Sequence, residues 1–568
     1  MKRIIFYSCF IFCAALPSFG QTKTISGTVV DETDAPIVGV TVAVQGTNIV
    51  AVTSLTGSFS INLPDGSNEL SFTSVGYLSQ RAPAVTGMKI TLVKNIVSGE
   101  DVVVVGYQTV KRKDITGSIS SVSSREIKDV PVSSAAEALQ GRLAGVQITA
   151  SEGAPGADII VRVRGGGSIT QDNAPLYIVD GVPVENALSV IAPQDIASVD
   201  VLKDASTTAI YGARAANGVV MITTKSGRAG KTQISLNTSF GFRKLPNTMK
   251  VLSPYEFVRW QYERSRGSIA DSSSFAQIYG TTWDTLSFYK DIAPINWQEE
   301  VFGRTAAFQN HNLSVTGGGQ STTFSLSATW NKEDGIQLES GFDRKLVNFK
   351  IENRATDKLR IGANVRYIDQ EIKGAGTTNS GTRATNRLRH AINYRPFELP
   401  TPNGGIDDFD EAYYLASSGA TNPVLLTEAE YRRQYSKGIY MTGFLNYNLL
   451  KNLVFRSTVG LDNVDIKTDL FYSKITSQAR NYASLPLASI GTQNNRSFTN
   501  SNTLQYSLNN INDHHDVNIL IGQEIVQQRV SQNSTETRYF PAEISAEKAL
   551  ANMGLGSAPS GSAQPLPT

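Results

Sequence analysis

Residues able to ligate metal stand side by side at His514-His515-Asp516. A zinc peptidase needs His and Glu at close helical or loop spacing, as HxxE or HExxH. The four histidines of the chain form neither pattern, and a polar turn between two strands is the expected setting for 514–516. Gly227-Arg228-Ala229-Gly230-Lys231-Thr232 carries the end of a phosphate-binding loop. GxxxxGK[ST] requires glycine at 225, where the chain has Lys225. Gly165-Gly166-Gly167 is too short and wrongly spaced for a dinucleotide fingerprint. No acid/base pair or activated nucleophile is evident, so neither an enzyme, a cofactor nor a metal is expected.

The chemistry that remains is main-chain pairing. Residues 100–113 read EDVVVVGYQTVKRK. Val102, Val103, Val104 and Val105 are β-branched and strongly strand-forming. An acidic pair precedes them; Gly106, Tyr107 and the basic run Lys111–Lys113 follow. A detached segment of this kind suits strand addition to a partner's sheet, with backbone hydrogen bonds supplying the grip. The competing expectation is that 102–105 is the last strand of the preceding domain.

The elements around it set the compartment. MKRIIFYSCFIFCAALPSFG has a basic start, an apolar run from Ile4 to Leu16 and a small-residue exit, the pattern of a secretory signal peptide over 1–20. Cys9 and Cys13 leave with it, so no disulfide or thiolate site is expected in the mature chain. With Lys2 and Arg3 gone, 50 basic residues face 50 acidic ones, which gives no reason to expect nucleic acid as a partner. Charged residues are 18% of the sequence, and no later stretch approaches the roughly 18 apolar residues of a membrane helix. A secreted β protein and an outer-membrane barrel both fit.

Residues 21–94 alternate apolar and polar positions around DETDAP and Pro64-Asp65-Gly66 turns, as in a small β-sandwich. GTVVD, PIVGVTV, TGSF and LSFTSVGY together resemble the carboxypeptidase-regulatory-like domain, a transthyretin-like fold. Thr56 stands where that family usually places Asp before the Gly of its GxF element. Over 108–230, DVPVSSAAEALQGRLAGVQI reads as a helix capped at Ser133 or Ser134, with Glu137 three on and Gly145 ending the pattern. LQGRLAGV (139–146), VRVRG (161–165), PLYIVDGVPV (175–184), VLKDAS and AIYGARAANGVVMITTKSG follow in order. This series resembles the plug domain of SusC/RagA-type TonB-dependent outer-membrane transporters. By that resemblance 95–107 is a TonB box, with Asp101 to Tyr107 as the segment TonB grips, although Gln108 departs from the usual GYG. Arg162, Arg164, Asp180, Lys203, Asp204 and Arg214 are candidates for ion pairs seating the plug in its barrel, with ordinary surface pairing the alternative. Gly165 and Gly181 are expected to serve backbone turns.

From 231 to 526 the chain turns to long alternating segments. LRIGANVRY sets Leu359, Ile361, Ala363, Val365 and Tyr367 against Arg360, Gly362, Asn364 and Arg366; ISLNTSFGFR and TFSLSATW behave alike. Nine strands are expected near 232–243, 308–317, 321–331, 345–354, 358–369, 438–449, 453–462, 499–508 and 516–526. Short and long connections alternate strictly between them, as in outer-membrane barrels. The family resemblance implies a plugged barrel of about 22 strands, so the chain is expected to stop within an outer loop as a partial transporter, its tail (527–568) polar and disordered. The overall expectation is a mainly β protein of sandwich, mixed α/β plug and the first strands of an antiparallel barrel. It would lie in the cell outer membrane, in contact with lipid, its sandwich and plug facing the periplasm. The resemblance implies active import of an oligosaccharide or peptide, driven by TonB, with a SusD-like surface lipoprotein as partner. A non-transporting binding or adhesion protein is the alternative.

Overall fold

The computed structural model describes residues 23–568 apart from 32–33, 46, 48, 65–68, 75–76, 94–101, 106–107, 112–118, 128–129, 131, 151–152, 158, 170–172, 205–207, 281–282, 375–386, 399–412, 415–418, 512–514, 558–559 and 566–568. The signal-peptide expectation, Asp101, Gly106, Tyr107 and His514 therefore lie outside the described residues. Two compact units divide between Val102 and Val103.

The first unit is built from alternation. Its strands are β1 (Lys23–Val30), β2 (Thr41–Val44), β3 (Val50–Val52), β4 (Ser58–Leu63), β5 (Glu69–Thr73), β6 (Gln80–Pro83) and β7 (Met88–Thr91). They form two sheets, in the orders β4-β1-β7 and β3-β2-β5-β6. Every second residue of β4 is buried (Phe59, Ile61, Leu63), and Phe59 meets Phe72 of β5 edge-on at 5.5 Å. At the Thr56–Gly57 turn the backbone is left-handed (φ +71), and a Cβ on Gly57 would press on the Val29 carbonyl at 2.6 Å.

β8 (Val102–Val105) pairs with β9 (Gln108–Lys111) in a two-stranded sheet of their own.

The second unit starts with an α/β body. β10 (Ile119–Ser123), β11 (Val146–Ala150), β12 (Ile159–Val163), β13 (Leu176–Val179), β14 (Val182–Pro183), β15 (Ile196–Leu202) and β16 (Val219–Thr224) give a five-stranded sheet ordered β10-β15-β16-β13-β14 and a β11-β12 pair. The capped helix is shorter than its sequence pattern. Ser134 accepts a hydrogen bond from the Ala136 amide at 3.2 Å, but the helix spans only Ala135–Leu139. Gly141, at φ +73, lies in the turn that follows it; Gly145 (φ +70) instead precedes β11. Leu143 is buried without a further helical turn because the chain must reverse into the β11-β12 pair.

A ten-stranded antiparallel sheet follows in strict sequence order, open among the described residues: β17 (Gly230–Arg243), β18 (Ala306–Gly318), β19 (Thr322–Asp334), β20 (Gly341–Arg354), β21 (Leu359–Lys373), β22 (Glu430–Leu450), β23 (Leu453–Tyr472), β24 (Leu487–Ile511), β25 (His515–Thr537) and β26 (Ser560–Pro565). Nine strands were expected, and β22 to β25 run far beyond the expected ends. The Tyr472↔Leu487 and Ala488↔Thr537 pairs continue the ladder well past the alternating part of each strand. On β24 and β25 both faces are largely polar there, so the sequence loses its period while main-chain pairing persists; β23 keeps an apolar face through Val464, Ile466 and Leu470. The expected disordered tail is corrected for the same reason. Residues 527–537 continue β25, Ser545 caps a helix over Ala546–Ala551, and β26 pairs with β25 from Ser531↔Pro565 to Glu536↔Ser560. Short connections join β18 to β19, β20 to β21, β22 to β23 and β24 to β25.

The long connections hold structure of their own. Pro254–Ser265, closed by a Ser253–Glu256 capping box, packs with Ile269–Tyr279 and Trp297–Phe302 around an aromatic core that includes Phe257, Tyr289 and Phe397.

Candidate functional site

The ten-stranded wall reverses the order of a water-soluble sheet. On β19, Ser325, Ser327, Thr329, Asn331 and Glu333 are buried, while Leu326 and Trp330 between them are exposed. On β20, Arg344, Asn348 and Lys350 are buried and Val347 and Phe349 exposed; on β21, Asn364 and Arg366 are buried and Val365 and Tyr367 exposed. An apolar face turned outward and a polar face covered by protein is the arrangement of a lipid-facing barrel wall around a filled lumen. The α/β body is what covers the polar face.

That body meets the wall through side chains. The Asp180-Gly181 turn between β13 and β14 has both residues at positive φ (49° and 93°), the signature of a two-residue type I′ hairpin. The hairpin tip aims the Asp180 carboxylate at the wall. Lys350 Nζ lies 3.2 Å from Oδ1, Asn364 Nδ2 donates to Oδ2 at 3.2 Å, and Thr224 donates through its amide (3.0 Å) and hydroxyl (2.6 Å). Burial by itself would push the Asp180 carboxyl up; Lys350 and the two Thr224 bonds outweigh it and hold the group below the ordinary carboxylate value. Any side chain at 181 would press on the Arg456 guanidinium at 3.1 Å. One residue further, Val182 sits over Gly460 of β23, where a Cβ would lie 2.5 Å from Val182 Cγ1. Only glycine lets the hairpin approach this closely.

Other contacts surround this tip. The Arg344 guanidinium, fully buried, donates to the carbonyls of Ser189 (2.6 Å) and Ser133. Ser133 also bonds Glu333, whose other oxygen takes Arg243 at 2.5 Å. Arg214 pairs with Glu524 of β25, and Glu185 accepts from Gln528. Apolar packing adds Leu346, Ile368 and Tyr440 of the wall to the core of the α/β body.

Asp195 is a second buried carboxylate with a different balance. Ser327 donates to it at 2.7 Å, yet burial dominates and raises its affinity for a proton. A raised native value means that the folded state holds more protons than the unfolded chain between the ordinary carboxylate range and that raised value. Stability should therefore fall as pH climbs through that window and be fully kept below it. Asp195→Asn should remove this fall and leave stability at neutral pH within about 1 kcal/mol or slightly higher. Thermal unfolding of both forms from pH 4 to 8 checks it.

Of the six charged candidates, Asp180 and Arg214 reach the wall. Arg164 pairs with Asp204 inside the α/β body, partly exposed, and Lys203 bonds Ser120 and the Ala144 carbonyl there. Arg162 is exposed on β12 and forms no ion pair among the described residues. Gly165 has φ +92, in the turn after β12. Sequence reasoning did not single out Lys350, Arg344, Glu333, Asp195 or Gly460. For the strand residues the signal was there: each occupies an inward position of an alternating strand, where a charge needs a partner or a glycine makes room. Among the described residues no cluster of His, Cys, Asp and Glu suits a metal.

Residues 111–219 match the TonB-dependent Receptor Plug Domain, and 25–114 match the CarboxypepD_reg-like domain. TonB-dependent receptor P3 of Formosa agariphila is 31% identical over 480 residues, covering 83% of this chain and 45% of that protein. TonB-dependent receptor SusC of Bacteroides thetaiotaomicron is 31% identical over 373 residues, covering 64% of this chain and 35% of its own. The solved RagAB peptide importer in its open-open state superimposes with a TM-score of 0.65 at 26% identity, over 82% of this chain and 53% of that one. The chain thus spans half or less of the length of these curated relatives, which are receptors rather than enzymes. Two matched domains in this order, a polar lumen face filled by the α/β body and an outward apolar wall together assign the chain to the SusC/RagA family of TonB-dependent receptors.

Proposed function

We infer that this receptor actively imports a nutrient, an oligosaccharide or a peptide, across the outer membrane. TonB grips 101–107 by strand addition and pulls, and the plug leaves its seat. One observation carries the reading: among the described residues the plug's sheets are separate from the ten-stranded wall, and no backbone ladder joins the two. A stopper held by side-chain pairs can be released pair by pair, whereas a shared sheet would have to be torn. The pull draws on the inner-membrane potential, about 2.3 kcal/mol per charge per 100 mV. A SusD-like surface lipoprotein as cargo-presenting partner is supported by the likeness to SusC and to the two-component RagAB importer.

Val103→Pro with Val105→Pro tests the grip, because each proline removes a donor from the added strand. Binding of the purified periplasmic domain of TonB should weaken about tenfold or more, the loss of one to two hydrogen bonds at roughly 1 kcal/mol each plus strain. Growth on a nutrient that requires this gene should slow accordingly while surface binding of that nutrient is kept. Unchanged TonB binding and growth would overturn the reading and favour an adhesion protein.

A further inference from the structure

The outward face of the wall changes character at one level. On β22 the outward residues from Tyr447 to Ile439 are apolar or glycine over about 27 Å of strand. The next outward residue is Lys437. A like step recurs on other strands: Lys332 follows Trp330, Lys345 precedes Val347, and Arg496 precedes Phe498, with Asn500 and Asn502 standing between Phe498 and Leu504 on that outward face. On β25, Arg529 lies two outward positions beyond Ile525. All five cations are exposed, and none closes an ion pair among the described residues. Each of the three lysines faces a carboxylate across the ladder without bonding it: Asp343 is opposite Lys332, Asp369 opposite both Lys345 and Lys437, and Asp465 opposite Lys437.

Two of them are set against each other. Arg496 and Arg529 are direct partners across the β24–β25 ladder, with their side chains on the same face. Like charges so placed repel, and the arrangement is favourable only with an anion between them. An anion at the edge of an apolar belt, on the side of the long connections, is a lipid phosphate. We propose that Arg496 and Arg529, which have no carboxylate across the ladder, bind the phosphates of anionic glycolipid in the outer leaflet. The guanidinium fork suits a bidentate phosphate contact. The proposal rests on reading the sheet as an outer-membrane wall.

The full-length receptor, purified in detergent, is mixed with bisphosphorylated lipid A, with its dephosphorylated form, or with inorganic phosphate, and retained lipid is counted by native mass spectrometry. Each cation near such a surface is worth roughly a fivefold change in affinity. R496Q/R529Q should therefore retain bisphosphorylated lipid A about 25-fold less well, and R496K/R529K should keep most of it. Equal retention by R496Q/R529Q, equal retention of the dephosphorylated lipid, or displacement by equimolar inorganic phosphate would overturn the proposal. So would loss in R496K/R529K while that variant still migrates as the folded band. Import is not read in this assay, so its failure leaves the transport reading standing, and failure of the TonB test leaves lipid retention unchanged.

Discussion

An oxidised V182C/G460C receptor is expected to import its cargo no faster than cells lacking the receptor, and to recover fully on reduction. The geometry is favourable before any adjustment. A Cβ built on Gly460 lies 3.6 Å from the Val182 Cβ, within the roughly 3.5–4.5 Å range of disulfides. The clash that excludes other side chains at 460 is with Val182 Cγ1, and replacing valine by cysteine leaves a single γ atom to place. The two native cysteines, Cys9 and Cys13, are replaced by serine in the test background, so the engineered pair has no competitor. The bond ties the Asp180-Gly181 hairpin to β23. A plug that must leave its seat then has to break a covalent bond, which pulling does not do. V182C alone supplies the control and should import normally. Crosslinking is read from a reductant-sensitive gel shift, and import from uptake in the same cells. Wild-type uptake by the fully crosslinked form would show that this hairpin stays in place during transport.

Much of this architecture was legible because it rests on short-range periodicity. Alternation located the wall strands, the strict exchange of short and long connections separated barrel from sandwich, and Asp180-Gly181 between two apolar runs announced a hairpin turn. What failed did so where periodicity ends. The outer ends of β24 and β25 and all of β26 are largely polar at every position, so nothing in Gln493-Asn494-Asn495 or Ser560-Gly561-Ser562 distinguishes a ladder from a loop. The helix after Ser134 looked longer because the apolar spacing up to Gly145 is helical, while the burial it serves is reached by a turn at Gly141.

The seat itself needed three dimensions. Asp180 and Lys350 are 170 residues apart, and Ser133 and Arg344 are 211 apart; no local pattern joins them. A charged residue on the inward face of a barrel strand announces only that it has a partner. Which plug residue answers it depends on register, and Arg162, Arg164, Lys203 and Asp204 were as plausible by composition as Asp180 and Arg214. The buried apolar wall residues Leu346, Ile368 and Tyr440 were hidden for the opposite reason, since they interrupt the polar face the alternation defined.

Removing the Asp180 carboxylate should loosen the plug more than any other single change in its seat. Lys350 and Asp180 are only 9% and 12% exposed, so the pair is shielded from solvent and its energetics are those of a buried bridge. Asp180→Ala leaves the Lys350 ammonium only the Glu352 carboxylate, 3.9 Å away and already paired with Arg360, at a cost that approaches the about 3–5 kcal/mol of a broken buried bridge. It also frees the Thr224 hydroxyl and amide from their acceptor. The expected result is a drop of several degrees in the unfolding temperature of the receptor in detergent, and entry of a large hydrophilic antibiotic that intact cells exclude. Adding Lys350→Met to Asp180→Ala removes the stranded charge and should recover most of the stability, since replacing both members of a buried pair by apolar groups is often neutral. The pH dependence carries the opposite sign from that of Asp195. A carboxyl held below its ordinary value contributes stability above the unfolded value near 3.9 and loses it only as pH falls through the lower native one. The Asp180 contribution should thus be constant from pH 5 to 8 and vanish in strong acid, whereas the Asp195 penalty grows as pH rises. If Asp180→Ala unfolds with the wild type and D180A/K350M gains nothing over it, the clamp at the hairpin tip does not hold the plug.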